Sequence, residues 1–201
     1  LMADPVNFYF DFSSPYSYFA AQKIDSTVEA CGRTVRWKPF LLGALFKITG
    51  SQPLNTIPLK GDYCFHDWER LGQMTTPPWI MPDPFPIPTQ AAGRAFYWLD
   101  EQDSNRAKAF ALAVFNTYFG QGINIATPDK VIEVAEGVGV DGTALSVALQ
   151  EDDVKQRLKD ETQAAIDAGV FGAPFFIVDG EGFWGSDRMW MIKRWLQGRN
   201  A

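Results

Sequence analysis

Asn7-Phe-Tyr-Phe-Asp-Phe-Ser-Ser-Pro-Tyr-Ser-Tyr-Phe-Ala20 changes period halfway along, and that change decides the fold. Val6, Phe8, Phe10 and Phe12 alternate with Asn7, Tyr9 and Asp11, the two-residue period of a β-strand. The alternation stops at Ser13-Ser14-Pro15. Proline has no amide N–H and a fixed φ, so it suits the first position of a helix and makes Ser14 its N-cap. The pattern predicts a helix over residues 16–30, which Gly32 can end. A hydroxyl is thereby held where a strand hands over to a helix, among free N–H groups and the positive end of the dipole. A capping serine accounts for an isolated Ser-Pro of this kind; a second motif, 160 residues on, raises the functional reading beside it.

Outward from this stretch, residues 34–39 read as a second strand, giving β-α-β with a parallel pair and a right-handed crossover. Residues 41–49 are apolar enough for a short helix, 50–58 form a loop, and 60–74 look helical, with Tyr63, Asp67, Trp68 and Leu71 at helical spacings. Residues 76–89 hold six prolines and cannot be regular helix or central strand. Trp79, Ile80, Met81, Phe85 and Ile87 make the segment too apolar for a free linker, so it reads as extended chain packed on the body. Helical patterns follow over 90–102, 104–119, 128–138 (capped by Thr127), 143–150 and 153–168. Phe175-Phe-Ile-Val178 and Gly182-Phe-Trp184 then flank Asp179-Gly180-Glu181, a hairpin by its turn residues. Gly185-Ser-Asp187 caps a last helix over 188–197. The order β-α-β, helical block, β-β-α is that of an α/β thioredoxin-like fold with a large helical insertion. Residues 1–40 and 169–201 would form the thioredoxin-like domain and 41–168 the insertion.

The 201 residues can bury a good-sized core. Seven Trp and sixteen Phe suit packed aromatic clusters or an apolar ligand pocket. A net charge of −6 without a Lys/Arg run argues against nucleic acid. Cys31 and Cys64 are too far apart in sequence for a redox or zinc pair and could bridge only if the fold brought them together, so a reduced compartment is the default. No basic segment precedes an apolar run and no stretch approaches a membrane span, which points to a cytoplasmic protein.

The second motif is Gly169-x-Phe-Gly-Ala-Pro-Phe-Phe-Ile-Val-Asp-Gly-x-x-Phe-Trp-Gly-Ser-Asp-Arg-Met189. Together with residues 8–18 it strongly resembles the 2-hydroxychromene-2-carboxylate isomerase family, close to the kappa-class glutathione transferases. The middle loop matches in part, at Gly50-x-x-Pro53 and Pro58-x-Lys-Gly-x-Tyr63, with Asp67 one turn further on. The resemblance implies a glutathione-dependent isomerase of aromatic catabolism that interconverts 2-hydroxychromene-2-carboxylate and trans-o-hydroxybenzylidenepyruvate. It implies that Ser14 is the catalytic serine, donating a hydrogen bond to the sulfur of bound glutathione and favouring the thiolate. Pro174 matches the family's cis-proline, and Ala173 before it would offer backbone groups to the cysteinyl unit. Ser186 and Asp187 match the pair that holds the γ-glutamyl end, and Lys60 the lysine near the glycyl carboxylate; Ser51 and Asp67 complete the implied glutathione set. A homodimer, a small aromatic hydroxy-acid substrate and no metal are likewise implied.

The sequence departs from the family at three points. Ser51 stands where Asn is usual, Leu54 follows Pro53 where a second Pro is common, and Phe175 follows Pro174 where Thr is usual. The rival readings are a kappa-like transferase that conjugates or reduces electrophiles, and a non-catalytic glutathione- or peptide-binding module. His66, the sole histidine, reads as surface. Asp11 either tunes the serine turn or makes a structural hydrogen bond, and Trp184 either lines a substrate pocket or packs in the core. Arg188 reads as part of the last helix cap.

Overall fold

The computed structural model describes residues 4–198. Strand β1 (Val6–Phe10) is followed by α1 (Pro15–Ala21), α2 (Ile24–Glu29) and β2 (Val35–Pro39). The helical block then runs α3 (Leu42–Thr49), α4 (Lys60–Met74), α5 (Gln90–Asp100), α6 (Ser104–Phe115), α7 (Pro128–Glu136), α8 (Gly142–Ala148) and α9 (Asp152–Asp167). Strands β3 (Phe175–Val178) and β4 (Glu181–Trp184) and helix α10 (Met189–Leu196) close the chain.

The sheet order is β2-β1-β3-β4. β1 and β2 are parallel with Val6 opposite Val35, as the β-α-β pattern requires, and β3 returns antiparallel to β1 with Phe8 opposite Phe176. The β3–β4 turn is Asp179-Gly180, both at positive φ (52° and 87°), which is the hairpin geometry that Asp-Gly favours.

Alternation on β1 sends its residues to two different layers. Phe8, Phe10 and Phe12 enter the main core with Trp37, Phe176, Tyr18, Phe96, Phe115 and Ile192, between the sheet and helices α1, α2, α5, α6 and α10. Tyr9 faces the other way, into a smaller cluster with Leu45 of α3, Ala165 of α9, Val170 and Phe175. Phe8 stacks on Phe176 at 5.3 Å and meets Trp37 edge-on at 5.1 Å, so three strands are tied by one aromatic contact group. Such pairs add about 0.5–1.5 kcal/mol each beyond area burial.

The helix expected over residues 16–30 is two helices. Lys23 N–H reaches back to Ala20 O (3.0 Å), a tight turn that breaks the α-helical ladder. After it the chain restarts with Ile24 and Val28 both fully buried. Likewise the pattern over 104–119 ends in a wider, π-helical turn (Asn116–Gly120), which carries the fully buried Tyr118 and Phe119. The last helix is preceded by a 3-10 turn, Ser186–Arg188.

The proline-rich segment is packed on the body as its composition requires. Tyr18 Oη–H donates to Pro78 O at 2.5 Å, Tyr118 Oη–H to Pro84 O at 2.8 Å, and Ile80 N–H to Phe119 O at 2.6 Å. Desolvation pushes the Tyr18 phenol up to about 12, so it stays a donor at neutral pH. The peptide bonds before Pro84 and Pro86 are cis. Among the described residues no helix is long and apolar enough to cross a membrane.

Candidate active site

Ser14 caps α1 as its position before proline predicts: its Oγ accepts from Ser17 N–H at 3.1 Å. The same hydroxyl donates to Ala173 O at 3.3 Å, and the bond from Ala173 to Pro174 is cis. The two motifs read from the sequence therefore meet at one hydroxyl. Because α1 has only seven residues, its dipole is weaker than a fifteen-residue helix would supply. The polarity at this point rests chiefly on the Ser14 O–H and on local N–H groups.

Asp11 organises the turn from beneath. It is buried, and its carboxylate accepts from Ser13 N–H (2.8 Å), Leu42 N–H (2.9 Å) and Thr89 Oγ1–H (3.0 Å). One side chain thus joins the serine turn to the first turn of α3 and to the residue that precedes α5. Burial pushes its carboxyl above the ordinary range, against the three hydrogen bonds, which pull it down. Ser13 adds a further tie, its Oγ accepting from Ile87 N–H at 3.0 Å.

A cleft of about 250 Å³ opens above this turn. Ser14, Ala173 and Ser51 lie in its wall, with Tyr16, Asn55 and Trp68, and its apolar sides come from Phe46, Phe85, Phe171 and Trp184. Phe171 meets Trp184 edge-on at 5.1 Å. Trp184 is 52% exposed, so it is a cleft wall and not a core residue. Gly172 permits this arrangement: a Cβ there would lie 2.4 Å from Trp184 Nε1.

The other expected residues, Lys60, Asp67, Pro174, Ser186 and Asp187, are not in the cleft wall. Pro174 is buried beside it, and its carbonyl accepts from Gly185 N–H at 3.0 Å, which couples the cis turn to the Ser186–Arg188 turn. There Ser186 is half-buried and Asp187 is exposed, paired with Arg188 at 2.9 Å. Lys60 is exposed in the first turn of α4. The carboxylate of Asp67 is engaged by Tyr16 Oη–H at 2.7 Å and by Arg70 at 3.0 Å.

Nothing in the sequence pattern marks Tyr16, Trp68 and Phe85, which line the cleft, as site residues. The adjacency of Tyr16 to Ser14-Pro15 is the single signal that could have pointed to it; Trp68 and Phe85 reach the cleft only through tertiary packing. Cys31 and Cys64 are both free thiols. Burial raises the Cys64 thiol against the pull of Tyr16 and Lys60, so it is not a ready nucleophile. His66 is exposed. Among the described residues no His, Cys, Asp and Glu cluster could hold a metal ion.

Residues 5–197 match the family model for a DSBA-like thioredoxin domain. The chain is 31% identical over 190 residues to the 2-hydroxychromene-2-carboxylate isomerase of Pseudomonas putida, covering 94% of this chain and 92% of that one. It is 30% identical to glutathione S-transferase kappa 1 of Caenorhabditis elegans, over 96% of this chain and 90% of that one. A solved structure of 2-hydroxychromene-2-carboxylate isomerase superimposes with a TM-score of 0.84 at 30% identity, covering 97% of this chain and 95% of the other.

Proposed function

The chain belongs to the DSBA-like thioredoxin family, and we propose that it is a glutathione-dependent isomerase that interconverts 2-hydroxychromene-2-carboxylate and trans-o-hydroxybenzylidenepyruvate. The observation that carries this reading is the Ser14–Ala173 contact beside a cis-proline, in an aromatic cleft that contains no cysteine. A hydroxyl stands at the point where a disulfide oxidoreductase would place its own reactive sulfur. A site of this kind is suited to a sulfur brought by a ligand.

The residues present fit glutathione. Among the described residues no protein group accepts from Ala173 N–H, so this backbone donor is free for a peptide-like ligand lying along the cis turn. When bound, glutathione supplies a thiolate, the nucleophile that neither cysteine of the chain provides, whose reversible addition turns a conjugated double bond into a rotatable single one. Ser14 would turn its O–H from Ala173 O toward the sulfur and hold it deprotonated. Asp187, Ser186 and Lys60 would hold the charged ends of the tripeptide, Ser51 would stand in the wall beside it, and Asp67 would act through Tyr16. Phe46, Phe85, Phe171 and Trp184 would orient the aromatic substrate against the sulfur and keep water away from it. Two free cysteines suit a reducing, cytoplasmic setting.

The test is conversion of 2-hydroxychromene-2-carboxylate with and without glutathione, read by the absorbance of the open-chain product. Turnover that needs glutathione and returns it unconsumed supports the isomerase. A stable adduct instead would establish the kappa-like transferase, the reading that the Caenorhabditis elegans relative favours. No glutathione-dependent turnover of either kind would overturn both.

A further inference from the structure

The wall of the candidate cleft contains no Lys, Arg or His. Its one charged side chain is Asp11, whose carboxylate is already taken by three hydrogen bonds. A substrate carboxylate set inside this wall would be buried without a cation, which is costly. The acid end therefore belongs at the rim, where a cation can reach it.

Few cations stand there. On the elements that wall the cleft, Arg70 of α4 is paired with Asp67 at 3.0 Å. Lys47 of α3 and Lys60 of α4 are exposed and have no carboxylate partner among the described residues. Lys60 belongs to the implied glutathione set, at the glycyl end. Lys47 is left.

Its placement follows from helix geometry. α3 buries only Leu45, which seats the helix on the body in the smaller core cluster. Leu42, Gly43 and Phe46 line the cleft. Lys47 comes four residues after Gly43, so it stands one turn further along the same side, at the solvent edge of the cleft-facing stripe. Its four-carbon stem is flexible.

We propose that Lys47 receives the substrate carboxylate and so selects aromatic acids over neutral aromatics. This rests on the isomerase reading and names a residue that the implied glutathione set leaves out. The aromatic ring enters the apolar part of the cleft, against Phe46, Phe85 and Phe171, while the acid end stays at the α3 rim. Because the ion pair forms at a wet rim, salt screens it, and it supplies a factor in affinity and not the whole. Lys47 is thus a specificity determinant, separate from the sulfur chemistry.

The experiment has two arms. In the first, Lys47→Gln removes the charge at similar length and Lys47→Arg keeps it. At saturating glutathione, Lys47→Gln is expected to raise KM for 2-hydroxychromene-2-carboxylate about fivefold, with kcat and the glutathione half-saturation unchanged. The rise of KM with salt seen in wild type should vanish in this variant, and Lys47→Arg should restore both. A lysine in the last turn of a helix also complements its dipole. Were that its whole role, Lys47→Gln would shift the melting curve slightly and leave KM alone, and the proposal would fall.

The second arm needs no turnover. Tryptophan fluorescence of each protein is titrated with trans-2-hydroxycinnamate and with its neutral amide. Wild type is expected to prefer the acid about fivefold, and Lys47→Gln to bind both alike. If wild type does not isomerise the chromene yet shows this preference and loses it in Lys47→Gln, the carboxylate subsite stands and the isomerase reading falls. Turnover by wild type, with KM and the acid preference unchanged in Lys47→Gln, overturns the role of Lys47 and leaves the isomerase reading standing. Lys60→Gln is the control, and a loss of acid preference there, in place of Lys47→Gln, would also overturn the proposal.

Discussion

Ser14 Oγ lies 3.3 Å from the carbonyl oxygen of Ala173, a residue 159 positions away in sequence. The contact joins the turn that starts α1 to the turn that starts β3, and it leaves the Ser14 hydroxyl with one acceptor bond and one donor bond. A ligand sulfur placed at this cleft would compete with Ala173 O for the same proton.

Ser14→Ala is therefore expected to separate chemistry from folding. Losing the cap costs about 1 kcal/mol, a small shift in thermal unfolding. Losing the donor to a thiolate should lower glutathione-dependent turnover about 10²-fold or more, as for other preorganised donors. Steady-state kinetics beside a melting curve read both. Near wild-type turnover in the folded variant would remove Ser14 from the mechanism.

The same hydroxyl should depress the thiol of bound glutathione below the free-thiol value of ~8.5. Thiolate absorbs in the ultraviolet, so titrating the binary complex locates the transition. With a depressed pKa, thiolate persists as pH falls below the free value, and activity should extend downward with it. In Ser14→Ala the transition should move back up, because the O–H donor is lost, while the N–H groups at the start of the seven-residue α1 still hold it somewhat below the free value. A transition indifferent to residue 14 would count against the whole scheme.

Asp187→Asn should weaken glutathione half-saturation by about tenfold, the loss of one charge-assisted bond, with little change at saturation. Asp187 is exposed, and its one ion pair, with the neighbouring Arg188, lies at the surface. Stability should hardly change, since surface pairs contribute about 0–1 kcal/mol. A glutathione titration with both proteins is the measurement, and equal half-saturation would place that end of the ligand elsewhere.

Asp11 yields a stability prediction. Asp11→Ala leaves Ser13 N–H, Leu42 N–H and Thr89 Oγ1 without their acceptor and should cost about 3 kcal/mol or more. Asp11→Asn should cost less, because the oxygen that accepts from both Ser13 and Thr89 can be retained and only the Leu42 bond is lost. The pH sign follows from a carboxyl raised above its unfolded value by burial. The folded state then binds the proton more tightly, so this contribution is full below the unfolded pKa and is lost as pH rises through the folded one. Wild type should thus lead Asp11→Asn by more near pH 4 than at pH 7 in chemical denaturation.

Gly172→Ala probes the cleft wall. Its Cβ would stand 2.4 Å from Trp184 Nε1, and Trp184 is exposed enough to move aside. Stability should fall by less than about 1–3 kcal/mol, the usual overpacking cost, while KM for the aromatic substrate rises. Tryptophan fluorescence would register the displaced indole.

Local pattern carried much of this protein. The two-residue period over residues 6–12, proline after Ser14 and Asp-Gly at 179–180 each constrain φ, ψ or facing within a few residues. The elements they specify formed where those rules put them. The chain order of strands and helices then left few topologies, because a β-α-β crossover has one hand. The Ser14 and Ala173–Pro174 turns were legible for the same reason.

What the sequence could not decide was set by packing at a distance. The helix over residues 16–30 had no local signal for its break at Lys23, where the Lys23 N–H turns back to Ala20 O before Ile24 and Val28 are buried. The role of Asp11 depended on Leu42 and Thr89, 31 and 78 residues away. Trp184 could equally have been core or wall until Gly172 and Phe171 were placed against it. Trp68 stood at a helical spacing with no sign of which side it faced, and only tertiary packing brought it into the cleft wall. Periodicity and turn chemistry are properties of neighbouring residues and belong to the sequence. Hydrogen-bond satisfaction and the walls of a cleft are properties of residues that only the tertiary fold brings together.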